Sequence, residues 1–219
     1  MIRRLFLYFL LLLMPVTVHT QASSFTIARI KYNGGGDWYT GQTSLGNLLR
    51  FVRENTAIDA AENEVTISLM DDQLYLYPYL YITGHGNVRF SEKEAERLRE
   101  YLANGGFIHA DDCYGMDKSF RREMKKVFPE LEMVELPFNH EIYHSCFEFS
   151  GGLPKIHEHD GGPPHGYGVF FEGRLVLFYS FNTDLGDGWE DPEVHNDPPE
   201  KRQEALKMGT NIITYALTH

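Results

Sequence analysis

Residues Ser91–Gly115 read SEKEAERLREYLANGGFIHADDCYG, and this stretch decides the fold class. Ser91 and Glu94 stand at the spacing of a capping box, in which each side chain takes the other residue's backbone N–H. Leu98, Tyr101 and Leu102 give the helix one apolar face, and Gly105-Gly106 ends it. Phe107 to Ala110 is then short and apolar, the pattern of a strand buried on both faces. A capped helix feeding such a strand is half of a βαβ unit, so the sequence predicts an α/β fold with a mostly parallel sheet.

The rest of the chain repeats the alternation. Phe25 to Tyr32 reads as a strand that ends in Gly34-Gly35-Gly36, a turn needing backbone freedom. Thr43 or Ser44 is expected to cap a helix carrying Leu45, Leu48, Leu49 and Val52. Val65 to Met70 is a second strand, closed by Asp71 and Asp72, and Pro78 to Thr83 a third, entering Gly84-His85-Gly86. A helix over about Asp117 to Val127 stops before Pro129, and Leu131 to Leu136 reads as another strand. Tyr167 to Phe171 and Leu175 to Phe181 flank Glu172-Gly173 as a hairpin. Two polar loops follow the motif-rich half, Gly151 to Gly166 and Asn182 to Pro199, and a helix from about Glu200 to Leu217 closes the chain.

Arg3 and Arg4 precede an uncharged apolar run from Leu5 to Met14, with small residues around Thr20 to Ser24. This reads as a secretory signal peptide, expected over residues 1–22, with an apolar run too short to span a bilayer that needs ~20 apolar residues. The expected location is periplasmic or secreted, with membrane contact only during export. Loss of the two arginines moves the formal charge of -11 to -13. Such an acidic surface argues against nucleic acid as a partner. Residues 23–219 suffice for one domain. Two cysteines, Cys113 and Cys146, leave a disulfide and two free thiols equally open.

In parallel sheets ligands gather outside the carboxyl ends of strands. This rule selects Asp111 and Asp112, His85, Asp184 and Asp187, with Tyr114 beside them. Adjacent carboxylates at a buried strand end suit acid–base work or a hard divalent cation; alternatively one of them caps the helix near Asp117. His157 and His159 are two apart in a proline-glycine loop, where alternate side chains share a side and could bind one metal. The other expectation for them is hydrogen bonding within the loop. His140 and His144 are four apart but sit in an extended segment after Pro137, and His165 and His195 read as loop residues. Cys113 sits where a nucleophile elbow would place it, yet Asp111 stands where the elbow wants glycine, and a neighbouring carboxylate raises a thiol pKa.

Gly105-Gly106-Phe107-Ile108-His109-Ala110-Asp111-Asp112, Met116-Asp117-Lys118, Leu136-Pro137 with His140 and Ile142, Gly173-Arg174-Leu175 and Asp184-Leu185-Gly186-Asp187-Gly188-Trp189 together resemble the family called domain of unknown function 4159. The likeness runs from about Phe25 to Tyr215. The resemblance implies a flavodoxin-like three-layer αβα sandwich, grouped with class I glutamine amidotransferase-like folds, and supplies no activity. It makes Cys113 the positional counterpart of the amidotransferase cysteine, while the aspartates before it are typical of the family. The leading functional expectation is a periplasmic binding or accessory protein built around Asp111, Asp112, His140 and Asp184. It would take an unknown small molecule or an envelope protein. One rival is a metal-assisted hydrolase of a carbohydrate or amide bond, with a divalent metal as cofactor. Another is a structural partner in a cell-envelope assembly.

Overall fold

The computed structural model describes residues 24–157 and 161–219. The signal peptide expected over residues 1–22 and the candidate ligand His159 lie outside the described residues. Among the described residues no helix is long and apolar enough to cross a membrane.

Seven strands form one sheet: β1 (Ala28–Ile30), β2 (Val65–Ile67), β3 (Tyr79–Gly84), β4 (Phe107–Asp112), β5 (Val134–Glu135), β6 (His165–Phe171) and β7 (Arg174–Phe181). Their spatial order is β2-β1-β3-β4-β7-β6-β5. Contacts among β2, β1, β3, β4 and β7 are parallel. The hairpin partner β6 and the edge strand β5 run antiparallel. Glu172 and Gly173 both adopt positive φ, 51° and 83°, as the hairpin turn between β6 and β7 requires.

Helices cover both faces. The helices α1 (Ser44–Asn55) and α6 (Pro199–Thr218) lie on one side, where Leu45, Leu49, Met208 and Ile212 pack on Ile27, Tyr79, Phe107 and Phe178. The helices α2 (Glu92–Ala103) and α3 (Asp117–Val127) lie on the other, where Ala95, Leu98, Phe120 and Met124 pack on Leu80, Ile82, Ile108 and Ala110. Such packing on both faces is why the central strands are apolar throughout. The capping box at Ser91 is formed as its sequence requires, with both reciprocal bonds present.

Three local expectations need correction. Leu131 to Leu136 pairs only at Val134 and Glu135, because the Leu131 N–H turns back to the Phe128 carbonyl and Lys125 Nζ donates to the Leu131 carbonyl. The stretch from Asn182 to Pro199 is not a plain loop: it holds two short helices, α4 (Leu185–Trp189) and α5 (Pro192–His195). Thr43 stands at the N-cap of α1 but leaves the cap unmade. Its hydroxyl instead accepts the Asp191 N–H at 3.1 Å, tying α1 to the segment after α4.

Candidate functional site

The strand β4 runs two residues beyond its apolar stretch and takes Asp111 and Asp112 into the ladder, opposite Thr83 and Gly84 of β3. Successive side chains on a strand point to opposite faces, so the pleat separates the two carboxylates. Asp111, fully buried, faces the α1–α6 layer. There Ser180 Oγ donates to its Oδ1 at 2.6 Å, and Gly186 N–H and Tyr81 O–H donate to its Oδ2 at 2.7 and 3.3 Å. Asp112 faces the α2–α3 layer, where it accepts the Met116 N–H at 3.2 Å at the start of α3. This is the helix-capping role. Asp111 caps too, but across the sheet: Gly186 is in the first turn of α4, whose own N-cap Asp184 makes no side-chain cap. Only glycine permits that approach, since a Cβ at 186 would lie 3.0 Å from Asp111 Oδ2 and 2.8 Å from Tyr81 Oη.

Behind Asp111 runs a buried hydrogen-bond chain that pattern reading did not find. Tyr79 Oη is 3.0 Å from His109 Nδ1, and His109 Nε2 is 2.9 Å from Ser180 Oγ. With Ser180 donating to Asp111, His109 Nε2 carries the proton and Nδ1 accepts from Tyr79. Burial alone drives the His109 pKa down to about 3, so the imidazole is neutral. Tyr79, Tyr81, His109 and Asp111 are alternate residues on paired strands, and that period-two polarity inside apolar strands was the available signal.

Asp112 helps form the floor of a cleft at the carboxyl ends of β4 and β7. Its volume is about 310 Å³, and its walls are Tyr114, Gly115, Asp117, Lys118, Phe181, Asn182 and Asp184. Burial pushes the Asp184 pKa up to about 8, with the charges of Asp111, Asp187 and Asp112 adding to it. Burial likewise raises Asp111 to about 7 against the hydrogen bonds from Ser180 and Gly186. Asp112 shifts upward for the same first reason. The hydroxyl of Tyr179 is buried beside Asp112, and its pKa is raised by burial and then by the Asp112 charge. Tyr114, Asn182 and Asp184 all take positive φ, at 86°, 57° and 57°. Lys155 Nζ holds Asn182 by its carbonyl and its Oδ1, at 2.8 and 2.6 Å. Arg121 holds Asp117 at 2.6 Å.

The rim therefore gathers Asp112, Tyr114 and Asp184 in one cleft. His85 follows β3 on the same rim but is not part of the cleft wall; its Nδ1 pairs with Asp37 Oδ2 at 3.0 Å. His140 is not brought to the rim. Its ring packs on Phe170 and Tyr215, and Phe170 pairs with Leu175 at the start of β7, whereas Asp111 pairs with Ser180 near its end. At ~3.3 Å per residue the intervening strand is about 17 Å long, which excludes one site holding both. Cys113 is buried, bonded to Thr83 Oγ1 at 3.0 Å, and its thiol is raised well above its ordinary pKa by burial and then by Asp111. It is a packed thiol, held away from the thiolate form that a nucleophile needs. Cys146 is exposed, and both cysteines are free.

Asp187 joins a different constellation. Its Oδ2 is 3.1 Å from His157 Nδ1 and its Oδ1 is 3.6 Å from His195 Nε2. His195, expected to be a plain loop residue, ends α5 and meets His157 ring to ring at 5.1 Å.

The chain matches the family described as Domain of unknown function (DUF4159) over residues 26–217, and it belongs to that family. It matches none of the curated proteins with which it was compared.

Proposed function

We propose that this chain is an exported binding protein whose cleft between the ends of β4 and β7 takes a small polyhydroxylated ligand such as a sugar. The observation that carries this reading is the conformation of the cleft wall. Tyr114 holds φ 86° at a position facing the cleft. Asparagine and aspartate tolerate the left-handed region, but for tyrosine it costs on the order of 1–3 kcal/mol, and such strain clusters at binding sites. The chemistry fits the ligand class: Asp112, Asp117 and Asp184 accept from hydroxyls, Lys118 donates, and the Tyr114 and Phe181 rings offer apolar faces. Arg3, Arg4 and the apolar run behind them support export. The order of the parallel strands, reversing direction once beside β1, supports the flavodoxin-like assignment and, through the family, an amidotransferase-like grouping. The test is a thermal-shift and NMR panel of neutral sugars, polyols, amines and amino acids. Sugars or polyols are expected to bind, and Lys118→Ala and Tyr114→Ala to weaken them. Failure of every sugar and polyol at millimolar concentration, or affinities unchanged in both variants, overturns the proposal.

One observation favours hydrolysis as a second reading. Asp184, at about 8, is protonated at neutral pH inside a cleft that also holds Asp117, so a proton donor and a carboxylate share one wall. Asp111 is sealed from the cleft and would act only by holding α4. Turnover of chromogenic glycosides, lost in Asp184→Asn with binding retained, is the expected result under this reading. Absence of turnover across glycosides and amides rejects it.

A further inference from the structure

Outside the cleft, the segment from α4 to the start of α6 folds two histidines and three carboxylates around one point. One turn of α4 carries Asp187 and sets Glu190 three residues on, at its C-cap. Pro192 starts α5 and His195 ends it, and Asn196, at φ 57°, turns the chain so that Asp197 comes back to the cluster. His157 arrives from a distant loop, pinned by the Ile156 and His157 N–H groups on the Thr183 carbonyl.

The spacing is that of a coordination shell. Donors at ~2.0–2.1 Å from a tetrahedral ion stand ~3.3 Å apart, and closer to 3 Å at right angles. His157 Nδ1 lies 3.1 Å from Asp187 Oδ2 and His195 Nε2 lies 3.6 Å from Asp187 Oδ1, with Glu190 Oε2 2.8 Å from the same His195 nitrogen. The other nitrogen of His157 meets Asp197 Oδ1 at 2.6 Å, the carboxylate–histidine arrangement that orients a metal ligand from behind. A second and independent observation points the same way. The Asp197 side chain is only 7% exposed, and its Oδ2 is buried without a hydrogen-bond partner among the described residues. A buried carboxylate oxygen left in that state is costly unless a positive charge stands nearby. Arg202, which reaches this segment, donates to the Glu190 backbone carbonyl and not to one of the carboxylates.

We propose that His157, Asp187 and His195 bind a divalent first-row transition ion, Zn(II) before others, with Glu190 beside His195 and Asp197 behind His157 as outer carboxylates. Two imidazole nitrogens beside carboxylate oxygens select such an ion over Ca(II) or Mg(II), which take oxygen shells. This site shares no residue with the cleft wall, and the proposal does not depend on what the cleft binds.

The test uses the full-length mature chain, purified without a histidine tag and stripped with chelator. Titration calorimetry with Zn(II) is expected to show one ion per chain, and Co(II) to give the visible absorption of a four-coordinate N/O site. Asp187→Asn and His195→Ala are expected to weaken Zn(II) at least 100-fold, and Asp197→Asn by roughly 10–100-fold, the effect typical of an outer ligand. Circular dichroism checks that the variants fold, and the Co(II) spectrum of the unaltered chain decides the matter without them. No stoichiometric Zn(II) and no Co(II) band, or an affinity unchanged in folded Asp187→Asn and His195→Ala, overturns the proposal.

Discussion

Asp111→Asn offers the sharpest test of the buried network. The change keeps the shape of the side chain and fixes it in the neutral state. In the folded chain Asp111 has its pKa raised from 3.8 to about 7, so below about pH 4 folded and unfolded states are both protonated and the carboxyl is without effect. As pH rises to 7 the unfolded chain releases its proton first, and stability is lost through the folded pKa. About three units at 1.36 kcal/mol each amounts to about 4 kcal/mol, an upper figure because Asp184 and Asp111 repel each other and titrate together. His109 opposes the trend. Its folded pKa of about 3 means that stability falls as pH drops below the ordinary histidine value, so the unaltered chain sums two opposed slopes between pH 4 and 6.5. The difference between variant and parent isolates Asp111. In the variant the amide oxygen takes the place of Oδ2 and accepts from Gly186, the amide nitrogen takes the place of Oδ1 and donates to Ser180 Oγ, and Ser180 turns its proton to the Ala110 carbonyl 3.2 Å away. Urea unfolding followed by fluorescence of the buried Trp189 at pH 4.5, 6 and 7.5 gives the curve. The variant is expected to be the more stable by only about 1 kcal/mol at pH 4.5, rising to as much as about 4 kcal/mol at pH 7.5. A difference that stays constant across this range refutes the reasoning.

Three further outcomes are expected. Native protein treated with a thiol reagent reacts at one site, Cys146, and Cys113 reacts only after denaturation, as mass spectrometry of the labelled peptides will show. Gly186→Ala forces a Cβ between Asp111 and Tyr81 and destabilises by about 1–3 kcal/mol in urea titration, whereas the exposed Gly173→Ala changes stability through backbone strain alone. Tyr114→Gly relieves the strain of its positive φ, is expected to stabilise by about 1 kcal/mol, and abolishes ligand binding if the ring is a stacking face.

The framework was legible because its signals are local. The capping box at Ser91, the hairpin turn at Glu172-Gly173 and the extent of α3 all depend on residues within a few positions of one another, and the structure reproduces them. The rim was legible at one remove, through the rule that parallel strands end together. The sequence did not reveal which way each rim side chain turns. Asp111-Asp112 reads as a pair on paper, and only the continuation of β4 through both residues assigns them to opposite layers. His140 was drawn toward the rim by its residue type, yet its place is fixed by packing on Phe170 and Tyr215. The meeting of His157 with His195 lay beyond pattern reading, since it requires a loop and a short helix to fold onto the same turn of α4.

The order in which the sheet closes has a consequence for how the site comes into being. The strands β6 and β7 are joined by a two-residue turn and can find each other quickly. Asp111 and Ser180, by contrast, meet across 69 residues, a closure whose entropy must be met before any contact rewards it. The loops on either side of the cleft, one after β4 and one after β7, become neighbours only at that docking. The desolvation of Asp111 belongs to the same event. Of the strand pairings, the one that spans the most sequence is thus the one that creates the cleft, and the burial of an ionisable carboxyl is tied to it.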